Sequence, residues 1–168
     1  SHTDKMMGLS NALIVSALWL ASSTVALAGD SAGGTVIFQA AKGTVKHGFL
    51  VRGPDEMDPS KTLVRLYLSS ADIGAKIKAA KTLSEADNAL EDGAMVDYSD
   101  APHLAYAIRL NGERVQYSGG TSGEAFALTT NKPDHLAGKL HIDDSASGGA
   151  KVDATFDLTL MKTFTNLR

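Results

Sequence analysis

The amino-acid sequence predicts a mainly β protein: an antiparallel β-sandwich, or flattened barrel, with a short helical insert near residues 70–93. Three observations point there. Apolar and polar residues alternate through Leu104–Leu110 and Val152–Leu160, the two-residue period of strands with one wet face. Asn111-Gly112 lies between two alternating runs, and both residues suit the positive φ angles of a tight hairpin turn. In one stretch the period changes: Ile73, Ile77 and Ala80 recur at i, i+4, i+7, the stripe of an amphipathic helix.

The elements follow in chain order. Thr35–Gln39, Thr44–Arg52 and Thr62–Leu68 read as strands, with Gly53-Pro54 stopping the second. Ser70 is a candidate cap for the first helix. Thr82 and Glu85 have capping-box spacing for a second short helix running to Leu90 and ended by Gly93. Lys76, Lys78 and Lys81 close one helix, while Glu85, Asp87, Glu91 and Asp92 occupy the next, a pattern expected of solvated helix ends. Met95–Tyr98 is a short strand. The Asn-Gly hairpin then sets a register of Leu110 with Glu113, Ile108 with Val115 and Tyr106 with Tyr117. Glu124–Thr129 is another strand, ended by Asn131-Lys132-Pro133. Leu136–Ile142 and Val152–Leu160 form a second hairpin across the Ser/Gly/Asp loop 143–150. The sum is about eight or nine strands and one or two small helices, which suits a sandwich or barrel.

Composition narrows the function classes. The chain has 168 residues, no cysteine, 16 basic and 19 acidic side chains, and a net charge of −3. That balance lacks the basic surplus of a nucleic-acid binder. Without cysteine there are no disulfides, thiolate metal sites or thiol nucleophiles, and the fold is expected to be insensitive to reducing agent. Residues 1–28 read as a secretory signal peptide: no charge falls between Met6 and Gly29, Ala12–Ala21 is apolar, and Ala26-Leu27-Ala28 offers the small residues a signal peptidase needs. The apolar run is shorter than the roughly 20 residues of a spanning helix, so cleavage after Ala28 is favoured over a retained anchor. The Ser1-His2 start in place of Met leaves open a tag remnant or a truncated beginning. Residues 29–168 are then one β-rich domain, periplasmic or extracellular. The sole tryptophan, Trp19, falls in the leader, which disfavours a sugar-stacking module.

Three constellations bear on chemistry. His141 and Asp143 share one strand face, His135 has the same parity if the strand extends that far, and Asp144, Asp153 and Asp157 come from the loop and the partner strand. A histidine with carboxylates is a donor set for a divalent ion, the histidine favouring zinc or copper and the carboxylates alone calcium, so His141, Asp143 and Asp153 are the candidate metal ligands, although their spacing matches no recognised motif. His47 and His103 are read as structural or solvent-facing. The Gly-rich stretch Gly119–Gly123 lacks the lysine and helix of a phosphate loop.

Gly29-Asp30-Ser31-Ala32-Gly33-Gly34 fits G-x-S-x-G and resembles the nucleophile elbow of the hormone-sensitive-lipase-like esterases. The resemblance spans six residues and implies a hydrolase with Ser31 as nucleophile. An elbow needs a strand before the serine and a helix after it. Here the extended run Thr35–Phe38 follows, and an HGGG-like oxyanion segment is missing.

The leading expectation is therefore a small exported, non-enzymatic binding module with no cofactor, whose partner is another envelope or extracellular protein. Its expected contact regions are the helical insert, Ser118–Gly123 and Asp143–Ala150. A carrier of an apolar small ligand in a barrel-like cavity is the first alternative, and the Ser31 hydrolase the second.

Overall fold

The computed structural model describes residues 30–98, 104–121 and 125–168. The expected leader, His103 and the Ser122–Glu124 part of the Gly-rich loop lie outside them. Among the described residues ten strands form: β1 (Ser31–Phe38), β2 (Ala41–Val45), β3 (His47–Pro54), β4 (Thr62–Ser69), β5 (Gly93–Tyr98), β6 (Leu104–Leu110), β7 (Glu113–Thr121), β8 (Phe126–Lys132), β9 (His135–Asp143) and β10 (Lys151–Thr163). Two helices, α1 (Gly74–Ala79) and α2 (Leu83–Asp87), fall between β4 and β5. The run expected as one strand from Thr44 to Arg52 is two, β2 ending at Val45 and β3 starting at His47.

The strands make two layers, in the orders β2-β1-β10-β9-β8 and β3-β4-β5-β6-β7. The sheet is not closed into a barrel, so the sandwich form of the expectation holds. Pairing is antiparallel except at one place. Beyond a register shift between Leu160 and Lys162, the end of β10 runs parallel to β3. This thirteen-residue strand is long enough to serve both layers: its first part pairs with β1 and β9, its last part with β3. The bulge also changes which face its side chains take. Leu160 packs with the core between the layers, whereas Phe164 belongs to the core under the helices.

Two hydrophobic cores result. Leu50, Leu66, Leu68, Val96 and Ile108 of one sheet meet Leu140, Ile142, Val152, Phe156 and Leu158 of the other. On the far side of the β3–β7 sheet, Phe49, Val51, Tyr67 and Met95 pack against Ile73, Ile77, Leu83 and Leu90 of the insert. The helical stripe expected from Ile73, Ile77 and Ala80 is thus buried, and the described residues form three layers. Burial on both faces explains why β4 reads as a nearly unbroken apolar run while β10 alternates.

The turns follow local chemistry. Asn111 and Gly112 both have positive φ, 54° and 81°, and the hairpin register is the expected one. Thr82 caps α2 by accepting a hydrogen bond from the Glu85 amide at 3.2 Å. Ser70 caps nothing: its hydroxyl donates to the Glu91 carbonyl, and Asp72 instead accepts from the Gly74 amide at the start of α1. Helix α2 ends at Asp87 rather than Leu90. Gly93 opens β5, where a Cβ would lie 1.8 Å from the Leu68 carbonyl oxygen, so glycine serves close strand approach there rather than helix termination.

Candidate functional site

Pleating and register set the outer face of the β2-β1-β10-β9-β8 layer. On β10, Val152, Ala154, Phe156 and Leu158 turn inward, which leaves Lys151, Asp153, Thr155, Asp157 and Thr159 outside. The β9 partners continue the rows: Asp143 opposite Lys151, His141 opposite Asp153, Lys139 opposite Thr155 and His135 opposite Thr159. On the other side, Thr35 neighbours Asp153 and Ser31 neighbours Asp157. Among the described residues this face carries Lys, Asp, His and Thr side chains and no helix.

Two histidine–carboxylate pairs stand on it. His141 Nδ1 is hydrogen-bonded to Asp153 directly across the strands, and His135 Nε2 to Asp157 along a diagonal. The hydrogen bond to Asp153, and then its charge, raise the His141 pKa above the ordinary histidine value. His141 is 70% exposed and Asp153 56%, so water screens the pair.

The three candidate ligands are only partly gathered. His141 and Asp153 meet. Asp143 turns to the loop instead, where its Oδ1 accepts from the Ser145 hydroxyl at 2.6 Å and the Ser145 amide at 3.1 Å. Those bonds hold its carboxyl below the usual carboxylate range. Asp144 points elsewhere again and accepts from the Tyr106 hydroxyl at 2.6 Å. Among the described residues no group of three or more His, Asp or Glu side chains converges on one point.

Ser31 is the first residue of β1, with extended backbone after it. Its neighbour across the sheet is Asp157, and His135 lies on the far side, on β9. A serine–histidine–carboxylate relay needs the imidazole between the other two groups. Here the carboxylate is in the middle. Serine and histidine lie on strands two spacings apart, about 9–10 Å, beyond hydrogen-bond reach.

The other concentration of charge is internal, under the helices, and was not anticipated. Arg65, 6% exposed at its side chain, projects from β4 towards the insert. Its Nη1 donates to both oxygens of Asp87 on α2, at 2.9 and 2.8 Å. Its Nε and Nη2 donate to Asp97 on β5, at 2.5 and 2.8 Å. The Tyr67 hydroxyl donates to Asp87 at 2.6 Å. Burial opposes the guanidinium charge, but the two carboxylates outweigh it and raise the Arg65 pKa. Burial raises the Asp97 pKa against the pull of Arg65, and burial with the Asp87 charge raises that of Tyr67. Asp87, expected on a solvated helix face, is therefore a buried partner. The sequence did carry one sign of it. Arg65 is the lone charge within the apolar run from Leu63 to Leu68, and a charge there must be paired. The network is one of several fastenings of the insert. Arg109 donates to the Asn88 and Leu90 carbonyls, Lys162 to those of Lys78 and Ala80, and the Leu83 and Ser84 amides to Asn166 and Leu167 carbonyls near the end of the chain.

Comparisons with protein-family models, with curated proteins and with solved structures give no match.

Proposed function

We propose that this chain is a small exported, non-enzymatic binding module, periplasmic or extracellular, that contacts another protein through the outer face of the β2-β1-β10-β9-β8 layer. The observation that carries the reading is the asymmetry of the two outer faces. One is covered over β3, β4 and β5 by apolar packing under α1 and α2, with buried Arg65 and residues 166–167 fastening the helices down. The other is not covered by any of the described residues and presents Lys139, His141, Asp153, Thr155 and Asp157 on a sheet. Closely spaced charges of both signs on a rigid support favour orientation and specificity in a protein contact. Export rests on the apolar run Ala12–Ala21 followed by Ala26-Leu27-Ala28.

The two alternatives have less behind them. An apolar ligand carried between the layers would have to displace Leu66, Leu140, Phe156 and Leu158, which pack there. For the hydrolase, no histidine among the described residues neighbours Ser31 across the sheet, where Asp157 stands instead.

A photo-crosslinking amino acid placed at Lys139 or Thr155, and separately at Lys78 on the helical side, tests the contact in intact cells. A discrete adduct from the two sheet positions and none from Lys78 is expected. Adducts from Lys78 alone, or from no position, overturn the assignment. The mass of the protein recovered from the envelope tests export independently: a chain starting at Gly29 is expected, and a retained leader counts against it.

A further inference from the structure

At one end of the sandwich the two layers part around a cleft of about 440 Å³. Register explains its chemistry. Arg52, Val64 and Tyr98 form one row across β3, β4 and β5, on the inward-facing parity of those strands. One step further in, the same parity holds Leu50, Leu66 and Val96, all core. The last row thus replaces a core residue with a guanidinium and adds a phenol, and Thr62 supplies a hydroxyl beside them. The opposite wall is the β8–β9 turn, with Asn131, Lys132, Pro133 and Leu136.

We propose that this cleft binds a small organic anion, a carboxylate or phosphate on a compact and partly apolar body. The site goes beyond the protein contact proposed above and lies at the end of the sandwich. Two cations, Arg52 and Lys132, line the cleft, and no carboxylate is among the described lining residues. Asp134, next in the turn, is exposed and not part of the wall. Among the described residues neither cation forms an ion pair. Arg52 Nη2 donates to the Pro133 carbonyl, which ties β3 to the opposing turn and orients the guanidinium across the cleft. That bond uses one of five N–H groups, and the rest of the planar fork matches the paired oxygens of a carboxylate or phosphate. Asn131 Nδ2 donates to the Tyr98 hydroxyl at 3.3 Å, and Tyr98 is stacked on Phe126 with ring centres 5.2 Å apart, so the polar wall is held in place. Val64, Pro133 and Leu136 give the apolar surface for the rest of the ligand.

The test is a titration of the purified protein with benzoate, phenyl phosphate and inorganic phosphate, followed by ¹H–¹⁵N NMR at constant ionic strength. Saturable shifts at the Arg52 Nε–H, the Asn131 side-chain amide and the Thr62 amide are expected, larger than with chloride. Binding of benzoate alone marks a carboxylate ligand, and binding of the two phosphates alone marks a phosphorylated one. Arg52→Gln is expected to weaken binding about tenfold or more, and Lys132→Gln about threefold, since charge-assisted bonds are lost. Lys139→Gln, on the outer face, is expected to change nothing. If loss of the Pro133 tie unfolds Arg52→Gln, exposed Lys132→Gln still decides. Shifts that match chloride, no saturation with any of the three probes, or Lys132→Gln binding as tightly as the unaltered protein overturns the proposal.

Discussion

Replacing Arg65 with methionine separates a charge network from ordinary packing. Methionine keeps the apolar volume of the stem but removes four hydrogen bonds, two to Asp87 and two to Asp97. Asp87, at 9% side-chain exposure, is left with the Tyr67 hydroxyl, and Asp97, at 25%, lies partly within reach of water. Removing one partner of a buried ion pair typically costs about 3–5 kcal/mol, because a charge stays behind without compensation. The partial exposure of Asp97 places the expected loss near the lower end, about 3 kcal/mol. For a domain of this size that is a drop in Tm of roughly 6–12 °C. Equilibrium urea unfolding followed by circular dichroism reads the loss directly. The pH dependence is the distinguishing sign. In the variant Asp97 loses the cation that opposes the upward pull of burial, so its folded pKa lies further above the unfolded value of about 3.9. Between those values the folded chain holds more protons than the unfolded one, and stability falls as pH rises. The deficit is therefore largest at neutral pH and shrinks as pH is lowered towards 5. A loss below about 1 kcal/mol, or one equal at both pH values, would refute the reasoning, since buried unpaired carboxylates produce neither result.

Three further perturbations probe other parts of the molecule. Leu140→Ala, at a side chain 1% exposed between the layers, is expected to cost about 2–5 kcal/mol in urea unfolding, and a near-neutral result would show that the layers close over the space. Gly93→Ala would set a Cβ 1.8 Å from the Leu68 carbonyl oxygen and is expected to unfold the protein or cost more than about 3 kcal/mol, whereas Gly33→Ala, with nothing within 4 Å, is expected to change stability by less than about 1 kcal/mol. Equal effects in thermal melts of these two would contradict the close approach of β4 and β5. On the outer face, Asp153→Asn is expected to return the raised His141 pKa towards its ordinary value, read by ¹H NMR titration of the imidazole. The small stabilisation from this pair is present below the ordinary histidine pKa of about 6.5 and is lost as pH rises through the raised one. An unchanged His141 titration in Asp153→Asn would remove Asp153 as its cause.

The outer-face residues were legible because strand chemistry is local. Two-residue alternation places His141 and Asp143 on one face and Asp153 on the wet face of the partner strand. The pairing of His141 with Asp153 follows from register. The turning of Asp143 to Ser145 does not, because alternation sets the side of the sheet and leaves the rotamer free. The split between β2 and β3 was hidden in a run of strand-forming residues. Helix α2 was legible at its start, through the Thr82 cap, and less so at its end.

The sequence by itself determined the β class, the Asn111-Gly112 hairpin with its register, the amphipathic stripe from Ile73 to Ala80, and the wet face of β10. Each depends on backbone preferences and side-chain periods within a few residues. Only the tertiary structure decided that the helical insert lies on the β3–β7 sheet, that Arg65 meets Asp87 and Asp97, and that Arg52 meets the Pro133 carbonyl of the β8–β9 turn at the end of the sandwich. These groups come from strands and turns far apart in the chain. Their meeting is set by how the layers stack and by the bulge that carries β10 from one layer to the other, and no local period encodes either.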